Sequence, residues 1–319
     1  MPNIIGVTNR LRKLRYGIDT PYEFFLAAVN SLARAVTGKE FYLSENHVEQ
    51  RRRRDFFKDG YYQIGQIKFP LMDKQGEMTL RGGIYWDTFC SYLYFNDKYD
   101  EKTYDICKSF SPEGPYGLVN DKVNVTVEKG DIVIDAGSWI GDFAAYSAMK
   151  GAAAYAFEPT NETYNYLLKT IELNKSLPGK IIAVNKGLSD KNTQLDILIE
   201  SQISSGNSFL DKRDRESKFV DYSQINYTSS QSIEVVKLDD FVKQNNLPRV
   251  NFIKADIEGS ERDMLVGAQE TLKNFAPKLA VCTYHLKDDP EVLEGLIKKA
   301  NPAYNVVQKK MKLYASVPK

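Results

Sequence analysis

From about residue 130 onward, short runs of consecutive apolar residues alternate with stretches whose apolar positions recur every three to four residues. The runs at 132–134, 152–157, 181–188, 249–255 and 279–284 read as strands buried on both faces of a sheet. Between them, residues 142–150, 238–246 and 290–300 read as helices, as does a long stretch over 260–275. A further helix follows Thr160, its cap, with Tyr164, Leu167, Leu168 and Ile171 on one face. Residues 304–314 supply one or two closing strands. Such alternation predicts an α/β fold, a doubly wound and mostly parallel sheet with right-handed crossovers. Ligands then gather at the carboxyl ends of the strands. The alternation breaks over 190–236, where 195–199 and 233–236 read as strands flanking a long polar stretch, either a surface loop or a lid.

The first hundred residues follow another pattern. Phe24, Phe25, Ala28, Leu32 and Val36 recur at helical spacing behind Thr20 and Pro21, a cap and first-turn pair. Residues 60–110 are dense in aromatics and punctuated by Gly76, Gly82 and Gly83. They read as a few strands or a hairpin and an aromatic segment that covers something, with a sugar-stacking role left open. Two domains are expected, an α+β extension over 1–109 and a ligand-binding domain over 110–319.

Composition changes this picture little. With 319 residues, 42% apolar and 27% charged, the chain is long enough for a sizeable core and is not a disordered polymer. A net charge of +1 gives no global attraction to nucleic acid or to an anionic membrane. The local exception is the run of four arginines at 51–54, a solvated face or a docking patch for an acidic partner. No apolar run approaches the ~18 residues of a spanning helix, and the basic N-terminus lacks the apolar core of a signal peptide. Three cysteines, Cys90, Cys107 and Cys282, are odd in number and unpatterned, which suits a reducing cytoplasm.

The chemistry concentrates at DIVIDAGSWIG, residues 131–141. A buried strand stops at Asp135 and turns through Gly137 and Gly141 into a helix. Gly137 lets the backbone approach a ligand closely, and the free first-turn amides of the helix can receive a carboxylate or phosphate. The register D-x-G-x-x-x-G is not the G-x-G-x-x-G of dinucleotide folds. One strand–helix unit later AAAYAFEP (152–159) ends in Glu158, placed to accept ribose hydroxyls. An acidic glycine turn followed by a ribose acid fits S-adenosylmethionine at least as well as NAD.

The ordered strand ends DAGSWIG, FEP, GLSD, KLDDF, IKADIEGSE and YH, with EGPYG at 113–117 ahead of them, resemble the FkbM-type methyltransferases over about residues 110–314. That resemblance implies a class I, Rossmann-like methyltransferase domain using S-adenosylmethionine. It implies that Asp135, Gly137 and Gly141, with Ser138 and Trp139 in the same turn, hold the methionyl end. Glu158 and Pro159 would face the ribose, Gly187, Leu188 and Ser189 the adenine edge, and Glu113 the approach to the cofactor. Asp256, with Glu258 two residues on, would sit beside the sulfonium and the acceptor. Ser138 and Trp139 depart from the smaller or amide residues usual in the family. The extension would cover the acceptor site or mediate self-association.

Methyl transfer to a hydroxyl needs an in-line acceptor and a base within hydrogen-bond reach. Asp256, Glu258 and His285 stand at the ends of neighbouring strands, and the ordinary pKa of histidine suits proton transfer near neutrality. The same three could hold Mg²⁺ or Mn²⁺ instead, although no metal is expected. The Asn/Asp-Pro-Pro-aromatic tetrad of adenine-directed enzymes and the Pro-Cys of cytosine-directed ones are both missing. The expectation is therefore O-methylation of a small molecule, sugar or glycan. The alternatives are an NAD-dependent oxidoreductase and a non-catalytic module binding nucleic acid or phosphate.

Overall fold

The computed structural model describes residues 57–58, 60–80, 87–89, 91–92, 96–107, 113–200, 217 and 227–318. The expected helix over 20–38 and the arginine run at 51–54 lie outside them. The chain divides into two compact units, residues 1–65 and 66–319. In the first, Phe57–Lys58 and Tyr61–Ile64 pair antiparallel around Gly60.

The second unit is built on one large sheet. Its strands are β1 (Ile132–Ala136), β2 (Ala153–Phe157), β3 (Lys180–Val184), β4 (Phe252–Ala255), β5 (Lys278–Cys282), β6 (Asn305–Lys309) and β7 (Lys312–Ser316). They lie in the order β3-β2-β1-β4-β5-β7-β6, with β1 to β5 parallel and β7 antiparallel to both neighbours. The strand order reverses between β1 and β4, which puts a crevice at their carboxyl ends. The crossovers carry α1 (Asp142–Met149), α2 (Asn161–Leu173), α3 (Leu238–Gln244), α4 (Glu261–Val266), α5 (Gln269–Phe275) and α6 (Asp289–Ala300). The expected mostly parallel α/β sheet is thus present. No helix among the described residues is long and apolar enough to cross a membrane.

The inner positions of β1, β4 and β5 are apolar because both faces are covered. Ile134, Ile253, Leu279 and Val281 meet Met264, Leu265, Leu272, Leu293 and Ile297 from the helices. Across the sheet an aromatic column runs Phe69–Phe89–Tyr146–Phe143, with Phe143 also against Tyr116 and Phe252 at 5.5 and 5.6 Å. The aromatic-rich stretch therefore contributes core to this unit, as packed edge-to-face rings do.

Three local expectations change on folding. The long helix over 260–275 divides at Gly267 and Ala268, because the chain there touches the segment after β3. A Cβ on Gly267 would lie 2.0 Å from the Ser189 carbonyl oxygen. The restart is capped from outside, with Asp239 accepting from the amides of Glu270 and Thr271 at 3.0 and 2.8 Å. The third strand also divides: Lys180–Val184 stays in the large sheet, whereas Gly187–Leu188 pairs with Val235 and Val236. These last belong to the expected hairpin, found as Thr193–Glu200 against Tyr227–Val236. Most of the polar stretch between them lies outside the described residues. Finally, Thr160 stands at the start of α2, but its hydroxyl turns away from the helix amides and donates to Glu158.

Candidate functional site

The cavity at the strand ends is lined by Gly137 and Trp139 after β1, by Glu158, Pro159 and Thr160 after β2, and by Gly187 and Leu188 after β3. Asp256, Ile257 and Glu258 after β4 complete its floor, with Glu113, Tyr116 and Tyr284 alongside. Thus Glu113, Gly137, Trp139, Glu158, Pro159, Gly187, Leu188, Asp256 and Glu258, all singled out in the sequence, line one cavity. Asp135, Ser138, Gly141, Ser189 and His285 sit off it. Asp135, Ser138 and His285 are fully buried, and Ser189 is tied by its amide to the Val236 carbonyl at 3.0 Å.

The turn after β1 is shaped by close approaches. Gly137 has φ +73, and a Cβ there would meet the Asp256 carbonyl oxygen at 1.9 Å. Gly141 has φ +87 and abuts Leu167 of α2. Trp139 is itself left-handed, with φ +48, an uncommon conformation for a bulky residue and one that the surroundings must enforce. Its buried indole N–H has no hydrogen-bond acceptor among the described residues, so the cavity wall carries a donor waiting for a partner.

Asp135 reads differently in three dimensions. It stands beside Lys254 of β4 in the parallel register, and Oδ1 meets the Lys254 ammonium at 3.1 Å with both side chains buried. The same ammonium donates to the Gly137 carbonyl at 2.6 Å. Burial raises the pKa of Asp135, with the Lys254 charge opposing it. Asp142, first residue of α1, lines the cavity and accepts from Thr88 at 2.9 Å; burial pushes its carboxyl up to about 6.

Glu158 is held rigidly. Oε1 accepts from the Thr160 amide and hydroxyl at 2.9 and 2.5 Å, and Oε2 from the Trp139 amide at 3.1 Å. Three of the roughly four lone-pair sites of a carboxylate are filled, leaving about one for a ligand hydroxyl. Burial raises its carboxyl to about 7, against these hydrogen bonds.

The acceptor side is an acid cluster braced by phenols. Tyr116 and Tyr284 donate to the two oxygens of Asp256 at 2.6 and 3.1 Å. The Tyr116 ring carries the Lys312 ammonium 4.2 Å from its centroid and that of Lys254 at 5.4 Å. Lys312 is fully buried on β7 and donates to the Gly114 carbonyl at 2.8 Å, so EGPYG is strapped to β7. Burial opposes the charge on Asp256, but His285, Lys254, Lys312 and the Tyr116 hydrogen bond overcome it and hold the carboxyl down at about 2. Glu258 goes the other way, raised by burial despite His285. His285 lies 3.0 Å from Glu261, 3.4 Å from Glu258 and 3.7 Å from Asp256. Burial alone would strip its proton; the carboxylates of Glu261 and Glu258 outweigh that and hold it as imidazolium well above its ordinary range. Ligand atoms of Asp256, Glu258 and His285 all lie within 4.8 Å of one another. The three groups are close enough to share a proton.

Reasoning on the sequence did not single out Lys254, Asp142, Tyr284, Glu261 or Lys312 as part of the site, and it read Tyr116 only as part of a turn. Lys254 offered one signal, a lysine interrupting an otherwise apolar strand.

Residues 129–301 match the methyltransferase FkbM domain, so the chain belongs to the FkbM methyltransferase family. The hexuronic acid methyltransferase AglP of Haloferax volcanii is 27% identical over 173 residues, covering 54% of this chain and 64% of that protein. Methyltransferase 1 of Beauveria bassiana is 32% identical over 148 residues, covering 43% of this chain and 58% of its own length. The matched part thus spans less than two thirds of either relative. A crystal structure of a methyltransferase FkbM from Methylobacillus flagellatus aligns over 94% of this chain and 72% of its own, with 18% identity and a TM-score of 0.45.

Proposed function

We propose that this protein is an S-adenosylmethionine-dependent O-methyltransferase acting on a hydroxyl of a small molecule, sugar or glycan. The observation that carries the reading is the single cavity joining the Gly137 turn, Glu158 and the Asp256–Glu258 turn at adjoining strand ends. The residues suit the cofactor: Gly137 leaves no room for a side chain, Trp139 presents an unused donor and Glu158 keeps an acceptor site open. Trp139 and the turn amides would hold the methionyl end, Glu158 a ribose hydroxyl, and Gly187 and Leu188 the adenine edge. When bound, the cofactor supplies a methyl group made electrophilic by its sulfonium.

The chain's own task is to orient the acceptor oxygen and take its proton, which falls to Asp256 and Glu258. The name of the Haloferax relative supports a sugar acceptor. Residues 1–109 serve as an extension that covers the acceptor or mediates self-association, and the protein works in the cytoplasm. The test is transfer of labelled methyl from S-adenosylmethionine to a panel of sugars and secondary-metabolite alcohols. Asp256→Ala should abolish transfer while sparing cofactor binding; transfer that survives the substitution removes Asp256 from the acceptor site.

A further inference from the structure

Resting on the methyltransferase reading, we propose that Glu261 is the positioning residue of the acceptor site: it pins the turn that carries Glu258 and holds His285 against it, and Glu258 is the base that takes the acceptor's proton. Glu261 is fully buried at the start of α4, off the cavity wall. Oε1 accepts from the Ile257 amide at 2.8 Å and Oε2 from the Gly259 amide at 3.1 Å, one on each side of Glu258. Glu258 between them is left-handed, with φ +55, a conformation that persists in a residue of this size only where its surroundings impose it. The strain directs a carboxylate into the cavity.

The division of labour between the two acids follows from their partners. Both oxygens of Asp256 accept a phenol, and a carboxylate so supported is a weak proton acceptor. It serves as an anchor for Tyr116 and Tyr284. Glu258 faces the buried His285, whose other nitrogen is 3.0 Å from Glu261. Among the described residues, Asp256 at 3.7 Å and Tyr284, whose ring centroid lies at 4.0 Å, also face the imidazole. Asp289 of α6 acts on Glu261, and Lys254 and Lys312 act on Asp256. A base near the operating pH transfers protons best, and burial lifts Glu258 toward it. In the step, the proton of the acceptor hydroxyl passes to Glu258 as the oxygen bonds to the methyl carbon. Sulfur keeps the electron pair of the broken carbon–sulfur bond.

The experiment titrates His285 by NMR in full-length protein labelled at histidine, with His47→Gln removing the only other histidine. Glu261→Gln removes the charge and keeps a carbonyl oxygen for one of the two amides. His285 should stay protonated well above the ordinary histidine range in the parent and lose its proton at least ~1 pH unit lower in Glu261→Gln. Identical titrations in parent and Glu261→Gln, or a neutral His285 at about pH 7 in the parent, overturn the proposal. Should Glu261→Gln fail to fold, Glu258→Gln carries the test, since it too should lower the His285 midpoint; an unmoved midpoint there overturns the pairing. Calorimetry with S-adenosylhomocysteine on the same samples separates the two claims. Equal binding to parent and Glu261→Gln is expected, and no binding to the parent would sink the methyltransferase reading while the titration still judged the network.

Discussion

Tyr116 donates its phenol to Oδ2 of Asp256 at 2.6 Å across 140 positions of sequence. The bond ties the EGPYG strap, fixed by Lys312 and Tyr314, to the acid at the end of β4. Tyr116→Phe should destabilise the protein by about 1.5–3 kcal/mol, the range for a hydrogen bond to a charged group, read from the urea midpoint. It should also move the acid limb of stability. A carboxyl held at about 2 contributes stability that is present above its unfolded value and is lost as pH falls toward 2. Without the phenol the folded pKa rises, so acid unfolding should begin at higher pH. An unmoved acid limb contradicts this role.

Lys254 is the cation of the crevice floor. Lys254→Met would leave Asp135 buried beside an apolar side chain and free the Gly137 carbonyl. Removing one partner of a buried pair costs about 3–5 kcal/mol, and the loss should appear in urea unfolding at neutral pH. The double variant Lys254→Met with Asp135→Asn should recover part of it. No recovery would mean that the two side chains are not coupled.

Gly137→Ala brings a Cβ against the Asp256 carbonyl in a left-handed backbone. Overpacking of this kind costs about 1–3 kcal/mol, and backbone strain adds to it. The shift should separate β1 from β4 at the cavity and weaken S-adenosylhomocysteine binding by at least ~10-fold, since about 1.4 kcal/mol is tenfold. Parent-like affinity would show that the turn does not touch the ligand.

What could be read in the sequence was what lies close along the chain. DAGSWIG, FEP and ADIEG each join a strand to the turn that follows it, so their acids could be assigned to one crevice before any contact was known. The braces were illegible because they are contributed from afar. Tyr116 and Lys312 reach the site from opposite ends of the domain, and Lys254 meets Asp135 through sheet order alone. The break at Gly267 was hidden for the same reason: its cause is the Ser189 carbonyl, far away in sequence. His285 was legible as a member of the cluster, but its charge depends on Glu261, which in sequence reads as an ordinary first-turn acid.

Glu158 predicts a pH dependence of binding. Its folded carboxyl lies at about 7, and a ribose hydroxyl donates more strongly to the ionised form. S-adenosylhomocysteine affinity should therefore rise with pH through about 7, and Glu158→Gln should bind more weakly with a flatter profile. For stability the sign is opposite: a raised acid favours the folded state while protonated, and that advantage falls away between its ordinary value and about 7. Unchanged affinity in Glu158→Gln would remove it from the ribose site.

The central claim is the cofactor, and isothermal titration of the purified protein with S-adenosylhomocysteine, with NADH run alongside, tests it most directly. Micromolar binding of the first at one site per chain and none of the second is the predicted result. Binding of NADH, or of neither, would contradict the account and leave the Gly137 turn as a structural bend between β1 and α1.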